Sequence, residues 1–147
     1  MKLSSKSLLA AITLPVLLTA CQSNGESMEL TATDFQHHNW ELVQIDGQDI
    51  TLENEQVAPR LEIGENMTAN GNAGCNNFFG QAELKDNQIR IDKMGMTMKM
   101  CPDAAMEIEQ AMSKTLMEWS DVTLTKEQMV LSNGIHTLTF NLRDWVN

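Results

Sequence analysis

Positive charge is scarce in this chain of 147 residues. Ten lysines and arginines stand against twenty aspartates and glutamates, so the net charge at pH 7 is −10. A surface with this balance repels nucleic-acid phosphates and anionic lipid headgroups. The composition therefore argues against both as partners bound through charge, and it favours a soluble folded domain.

The sequence also lacks an apolar run long enough to cross a membrane as a stable helix. Its apolar stretch from Leu8 to Leu18 is too short for that, and it follows two basic residues, Lys2 and Lys6. A basic start followed by a short apolar stretch is typical of an export signal. We therefore predict a signal peptide at residues 1–20, after which the chain has room for one compact domain.

The signal ends in "LTAC", Leu18 to Cys21, which resembles the cleavage box of a bacterial lipoprotein. The resemblance implies that Cys21 becomes the lipidated first residue and that residues 21–34 form a tether to a domain at 35–147. Each buried methylene of an acyl chain contributes about 0.8 kcal/mol, so anchoring by several chains would be permanent. The alternative is an ordinary secretory signal with Cys21 just beyond it.

The residue after the lipidated cysteine influences sorting in such lipoproteins. Gln22 occupies this position, and the absence of an aspartate there favours the outer membrane. The expected location is therefore the cell envelope, at the periplasmic face of the outer membrane. Removal of residues 1–20 takes away two lysines and no acid, which changes the net charge from −10 to −12.

An odd number of cysteines, three, is unusual in an exported protein unless one has another role. Lipidation would occupy Cys21, which leaves Cys75 and Cys101 in an oxidising compartment. We predict that these two form a disulfide, which would stabilise the fold by about 3 kcal/mol on the loop-entropy model. The alternative is two free buried thiols.

The pattern beyond Trp40 predicts short strands separated by turns, with one helix among them. Asp46-Gly47 and Asn133-Gly134 are hairpin signals, and the second favours a two-residue turn. Apolar residues recur at helical spacing from Ala104 to Leu116, behind Pro102 and Asp103, which suit a helix start. We predict an α+β fold, a small antiparallel, strongly curved or barrel-like sheet of seven to eight strands with one packed helix.

The stretch "GNAGCNNFFG", Gly71 to Gly80, reads as a tight corner between strands. Its glycines are expected to adopt positive backbone dihedrals, and Asn76 to bond neighbouring backbone groups. Only one of Phe78 and Phe79 can face inward. The segment does not match a phosphate-binding loop, because no lysine follows at the required offset.

A catalytic alternative makes Cys75 a nucleophile in a glycine-rich pocket, which requires a general base to generate the thiolate. Only His37, His38 and His136 are available. His37 and His38 lie ahead of the first predicted strand, and His136 follows a turn where a solvated position is expected. We therefore predict no catalytic residue, and dispersed carboxylates offer no pair that the sequence singles out.

Methionines alternate in "MGMTMKMC", where Met94, Met96, Met98 and Met100 run into Cys101. Thioethers are soft ligands suited to Cu(I), so a copper site on this strand is one hypothesis. Alternation also places the four side chains on one strand face, and burial against the helix explains that equally well. We favour core packing, and thus predict no metal and no cofactor.

The many acidic residues show neither a calcium-loop spacing nor a zinc-type histidine pattern. They are interpreted as a solvated surface. The residues concerned include Glu62, Glu65, Asp86, Asp103, Glu107 and Glu109.

Three segments together resemble the META domain family: "QHHNWELVQIDG" (36–47), "GNAGCNNFFGQ" (71–81) and "MTMKMCPDAAMEIEQAM" (96–112). The resemblance runs from about Phe35 to the end of the chain. It implies one mixed domain with an antiparallel barrel-like sheet and one helix. It further implies an envelope protein expressed under heat or related stress and linked to novobiocin resistance.

This family offers no catalytic set to transfer, so the implied roles are structural. They fall on the corner motif and on the methionine motif that follows it: Gly74, Cys75, Asn76 and Phe78, then Thr97, Met98 and Cys101. The expected protein is a non-enzymatic monomer held to a membrane through its lipid. It would act through contact with an envelope protein or a small ligand, and not with nucleic acid.

Overall fold

The computed structural model describes residues 29–53 and 56–144. The predicted signal peptide, the predicted lipidation site Cys21 and the predicted sorting position Gln22 lie outside these residues. Within them, no helix combines the length and the apolar character that crossing a bilayer requires.

Nine strands and one α-helix follow one another along the described chain, with single 3-10 turns at Ala32–Asp34 and Glu65–Met67. The elements are β1 (His38–Ile45), β2 (Gln48–Asp49), β3 (Arg60–Ile63), β4 (Thr68–Asn72), β5 (Asn77–Lys85), β6 (Gln88–Met96), α1 (Asp103–Met117), β7 (Ser120–Leu124), β8 (Gln128–Ser132) and β9 (Thr137–Leu142).

Eight of the strands form a closed antiparallel barrel. Strands β3 to β9 pair in sequence order, and β1 pairs with both β3 and β9, so the sheet has no open edge at that seam. The short β2 pairs only with the end of β1. The predicted fold class, a small barrel-like antiparallel sheet with one helix, is confirmed.

The barrel is filled by side chains that alternate inward along each strand. Helix α1 contacts β6 and β9 and adds Ile108, Met112 and Leu116 to this core. The largest fully buried apolar side chains of the core come from β1, β3, β8, β9, α1 and the segment before β1. They are Trp40, Phe35, Phe140, Leu42, Leu61, Ile63, Met112, Leu116, Met129, Leu131 and Leu138.

The turn signals mark real turns, with one difference in length. Asp46 and Gly47 join β1 to β2, both with positive φ, as a two-residue hairpin requires. At Asn133-Gly134 the predicted two-residue turn is wrong. The loop spans residues 133–136, because the Asn133 side chain accepts hydrogen bonds from the backbone N–H groups of Ile135 and His136.

The folded part begins before the expected domain start. Leu30 and Ala32 pack against the core, and the Leu30 N–H donates to the Asn87 side chain at 2.8 Å. Phe35 is fully buried. Leu30 and Ala32, which the sequence assigns to the tether, therefore pack against the barrel core.

A histidine–aspartate pair joins two turns beside the β1–β9 seam. Asp46 Oδ2 lies 2.9 Å from His136 Nδ1, and Asp46 Oδ1 accepts the Thr137 N–H at 2.8 Å. The hydrogen bond from His136 and then that from Thr137 lower the pKa of the Asp46 carboxyl below its ordinary value. The ionised carboxylate therefore stabilises the closed barrel.

We predict that Asp46→Asn removes a pH-dependent part of this stability. Because the folded pKa is depressed, the contribution is present above the unfolded pKa of about 3.9 and is lost as the pH falls through the folded value. Urea unfolding from pH 7 to pH 3 should show a gap between wild type and variant that closes at the acid end. Asp86→Asn, in the β5–β6 turn, serves as the control, and a gap that is independent of pH would contradict the prediction.

Candidate functional site

The glycine corner between β4 and β5 is joined by a disulfide to the segment that precedes α1. Cys75 is 4% exposed and is bonded to Cys101, with 5.9 Å between their Cα atoms. The structure thus contains the disulfide that the sequence predicts. A sulfur in this bond offers no thiolate, so the alternative that uses Cys75 as a nucleophile is wrong for this structure.

Two of the three histidines considered as general bases are engaged elsewhere. His38 Nδ1 lies 2.7 Å from Asp144 Oδ2, and His136 pairs with Asp46. His38 also starts β1, so the interpretation that places it ahead of the strands is wrong. Among residues 29–53 and 56–144, no three His, Cys, Asp or Glu side chains form a group that could hold a metal ion.

The buried Asn76 is the centre of a hydrogen-bond network, defined here as the Asn76 network of Asn76, Thr97, Lys99 and Glu109. Its side-chain NH₂ donates to Glu109 Oε1 at 3.0 Å and to the Lys99 carbonyl at 3.1 Å. Its side-chain oxygen accepts the Thr97 hydroxyl at 2.9 Å and the Lys99 N–H at 2.6 Å. All four hydrogen-bonding positions of this amide are therefore filled.

Glu109 ties this network to helix α1. Its Oε2 accepts the Asn76 backbone N–H at 2.6 Å, and the residue is 9% exposed. The assignment of Glu109 to a solvated surface is therefore wrong. A signal was available, because Glu109 lies at helical spacing between Ala105 and Met112 on the buried side of the helix.

Gly74 is the one glycine of the corner with a positive φ, +116°. A Cβ there would lie 3.1 Å from the Ile108 side chain and 3.2 Å from the Ala105 carbonyl, so the corner packs directly on α1. The same prediction is wrong for Gly71 and Gly80, which lack positive φ. At Gly71 the need is space, because a Cβ would meet the Arg60 carbonyl oxygen at 1.9 Å.

The two phenylalanines divide between core and surface. Phe78 is 2% exposed and belongs to the core, whereas Phe79 is 65% exposed. Phe79 pairs with Gly95 across β5 and β6, and its ring covers the space that a side chain at position 95 would need. The expectation that only one of the two faces inward is met.

The methionine run divides in the same way, and core packing explains only half of it. Met94 and Met96, at the end of β6, pack against the core. Met98 and Met100 are 97% and 91% exposed, so the prediction of core packing is wrong for these two. The reason is that β6 ends at Met96, after which the Asn76 network holds the chain through Thr97 and Lys99.

Taken together, the family-motif residues build a rigid corner and do not assemble reactive groups. Cys75 and Cys101 are oxidised, Asn76 is fully hydrogen-bonded, and Gly74 and Phe78 are buried contacts. What the corner presents to solvent is the segment from Thr97 to Met100. Its chemistry is that of two thioethers and one lysine on a fixed backbone.

Comparison with known proteins agrees with this geometry. A family model described as META domain matches residues 33–145. The heat shock protein HslJ of Escherichia coli (strain K12) is 30% identical over 143 residues, which cover 97% of this chain and 99% of that protein. One NMR structure, at 30% identity and a TM-score of 0.70, covers 80% of this chain and 99% of its own.

A second NMR structure, of a protein from Burkholderia xenovorans, has a TM-score of 0.63. It covers 97% of this chain and 100% of its own at 20% identity, and this likeness supports the fold alone.

We predict that Asn76→Asp destabilises the domain strongly. The substitution replaces two donors by an oxygen that faces the Glu109 carboxylate and the Lys99 carbonyl, so the free energy of unfolding should fall by about 3 kcal/mol or more. Chemical denaturation of the oxidised protein measures the change.

The matched control is Asn77→Asp. Asn77 is exposed, and its side-chain oxygen accepts a hydrogen bond from Asn72, which an aspartate also accepts. The control should change stability by less than about 0.5 kcal/mol. Equal losses for the two variants would refute the central role of Asn76.

Proposed function

The chain belongs to the META domain family, and from that premise we propose that it is a non-catalytic stress-response lipoprotein of the cell envelope. It is anchored through Cys21 and protects the cell through contact with an envelope protein or a small ligand. The protection extends to heat-related stress and to novobiocin. The name of the E. coli relative, a heat shock protein, supports the stress role.

The observation that carries the non-catalytic part is the use of the motif residues. Cys75 and Asn76 have the most reactive side chains of the motif. Cys75 is held in a disulfide, and Asn76 uses all its side-chain hydrogen-bonding positions. Catalysis by a nucleophile needs a free reactive group beside a base. The motif residues do not form such a pair, and they serve to hold the corner in place.

The anchoring part rests on the sequence before the barrel. The "LTAC" box supplies the lipidation site, and Gln22 favours the outer membrane. The net charge of −12 after cleavage repels the domain from anionic headgroups. The lipid, and not the protein surface, would therefore attach the protein to the membrane. The barrel would then work within the reach of its tether.

Cross-linking in living cells tests the contact. A photoreactive amino acid at position 98, whose native side chain is 97% exposed, should trap a defined partner during heat shock. The exposed apolar side chain on a backbone held by the Asn76 network makes this position suited to contact. Mass spectrometry identifies the trapped species.

The control places the same amino acid at position 93, where the lysine side chain is 89% exposed. A partner trapped from position 98 and not from position 93 is the expected result. Equal, diffuse labelling from both positions, or none from either, would contradict a specific contact at this segment.

A second candidate function is Cu(I) binding by Met94, Met96, Met98 and Met100. The observation that favours it is the exposure of Met98 and Met100, whose thioethers are open to solvent. The observation against it is that Met94 and Met96 pack on the core and that Cys101 is held in the disulfide.

On the main proposal, titration of the oxidised protein with Cu(I) gives no saturable site. Ascorbate is the suitable reductant, because it maintains Cu(I) while the disulfide stays intact. Saturable binding that is lost in Met98→Leu/Met100→Leu, but kept in the control Met117→Leu, would instead establish the copper function. Met117 is 47% exposed and lies outside the run.

A further inference from the structure

A groove on the outer face of the barrel gathers both signs of charge. It lies over the first half of β1 and the adjacent strand β3, beside the residue that follows β9. Its volume is about 600 Å³. We call it the arginine groove. Its lining residues are Asn39, Glu41, Val57, Ala58, Arg60, Glu62 and Arg143.

The pleat of the sheet explains why these polar side chains share one face. Trp40 and Leu61 are register partners and point into the core. The flanking pairs, Asn39 with Glu62 and Glu41 with Arg60, therefore point outward. Backbone pairing thus fixes the two rows that form the floor of the groove.

The groove holds two of the three arginines of the chain. Arg143 Nε lies 3.6 Å from Glu41 Oε2, and the Arg143 side chain is 56% exposed. Neither Arg60 nor Glu62 forms an ion pair with any residue in 29–53 or 56–144. One cation and one anion are therefore left for a ligand, and a second guanidinium is only partly engaged.

One lining residue of the groove, Asn39, has a buried polar atom without a partner. Asn39 Oδ1 is inaccessible to solvent and receives no hydrogen bond, which is costly for a polar atom. The backbone of Asn39 is fixed on both sides. Its N–H donates to Asp144 Oδ1 at 2.9 Å, and its carbonyl accepts the Arg143 N–H at 2.8 Å.

The charge pattern selects the ligand class. Two guanidiniums and two carboxylates make the groove neutral, and the chain as a whole carries −10, so a simple anion gains little there. A zwitterion satisfies both signs. Its carboxylate suits the guanidiniums of Arg60 and Arg143, and its ammonium suits the Glu62 carboxylate.

Spacing indicates the length of the ligand. Arg60 and Glu62 are two residues apart on one strand face, a separation of about 7 Å. The termini of an extended dipeptide lie about 7 Å apart as well. Val57, which is 52% exposed, and Ala58 provide apolar contacts for small side chains.

We propose that the arginine groove binds short peptides through their two free termini. This inference deepens the proposed function, on which it rests for the non-catalytic, ligand-contacting role. Arg60 and Arg143 hold the carboxylate, and Glu62 holds the ammonium.

Titration of the ¹⁵N-labelled full chain with alanyl-alanine tests the proposal. Saturable chemical-shift changes should concentrate on the backbone amides of Asn39, Glu41, Arg60 and Glu62. Acetylation of the amino terminus or amidation of the carboxyl terminus should each weaken binding roughly tenfold, because each removes one charge-assisted contact.

Arg60→Gln should weaken the free dipeptide roughly tenfold and should abolish its advantage over the amidated form. Arg60 is exposed, so the fold should tolerate the change, and the same spectra report whether it does. Lys93→Gln, which removes one positive charge outside the groove, is the matched control and should leave binding unchanged.

Absence of saturable shifts up to about 10 mM dipeptide would overturn the proposal. So would equal affinity for free and capped dipeptides, or inorganic phosphate producing the same shifts as the dipeptide. These outcomes are separate from cross-linking at position 98, which lies outside the groove. A partner trapped there together with no peptide binding would refute the groove and leave the proposed function standing.

Discussion

The structure depends on one buried amide. Asn76 uses all four hydrogen-bonding positions of its side chain, and its backbone N–H binds Glu109 as well. Through these bonds the corner between β4 and β5 holds both the segment after β6 and the helix that follows it. A buried polar group is stabilising only when it is fully satisfied, and each missing partner would cost about 1–3 kcal/mol. The network therefore favours one arrangement of corner, segment and helix over all others.

The disulfide and the network act on the same three elements in different ways. The Cys75–Cys101 bond closes a loop with a sequence separation of 26, and this lowers the conformational entropy of the unfolded chain. The Asn76 network acts in the folded state, where it compensates the burial of the Glu109 carboxylate. Gly74 makes both possible, since the absence of a Cβ lets the corner approach Ala105 and Ile108. A small barrel with a limited core benefits from this combination.

Local signals in the sequence predicted what depends on local chemistry. The hairpin at Asp46-Gly47 follows from turn preference and the helix behind Pro102 from periodicity. The disulfide was predicted from the oxidising compartment that the expected export implies. The exposure of Met98 was missed because period-two alternation predicts a face only while the strand continues. Strand β6 ends where Asn76, about twenty residues earlier in the chain, bonds the segment that follows it. A contact over that distance does not change the local periodicity of the sequence.

Glu109 and the arginine groove both depend on contacts between distant parts of the chain, which the sequence alone does not reveal. Glu109 carried a helical-face signal, but its partner lies 33 residues away, so its role became clear only in the folded chain. The groove needs β1, β3 and the end of β9 together, and no single segment of the sequence marks it.

The corner and the groove are nevertheless coupled through adjoining strands. Gly71 and Asn72 of the corner pair with Leu61 and Arg60 on β3, and the Arg60 carbonyl occupies the space where a Gly71 side chain would lie. The Asn72 side chain in turn accepts the Gly74 N–H at 2.8 Å. The residues that make the corner rigid therefore also fix the backbone of the arginine at the proposed ligand site. A motif without free reactive groups can thus serve a binding function by positioning a neighbouring strand.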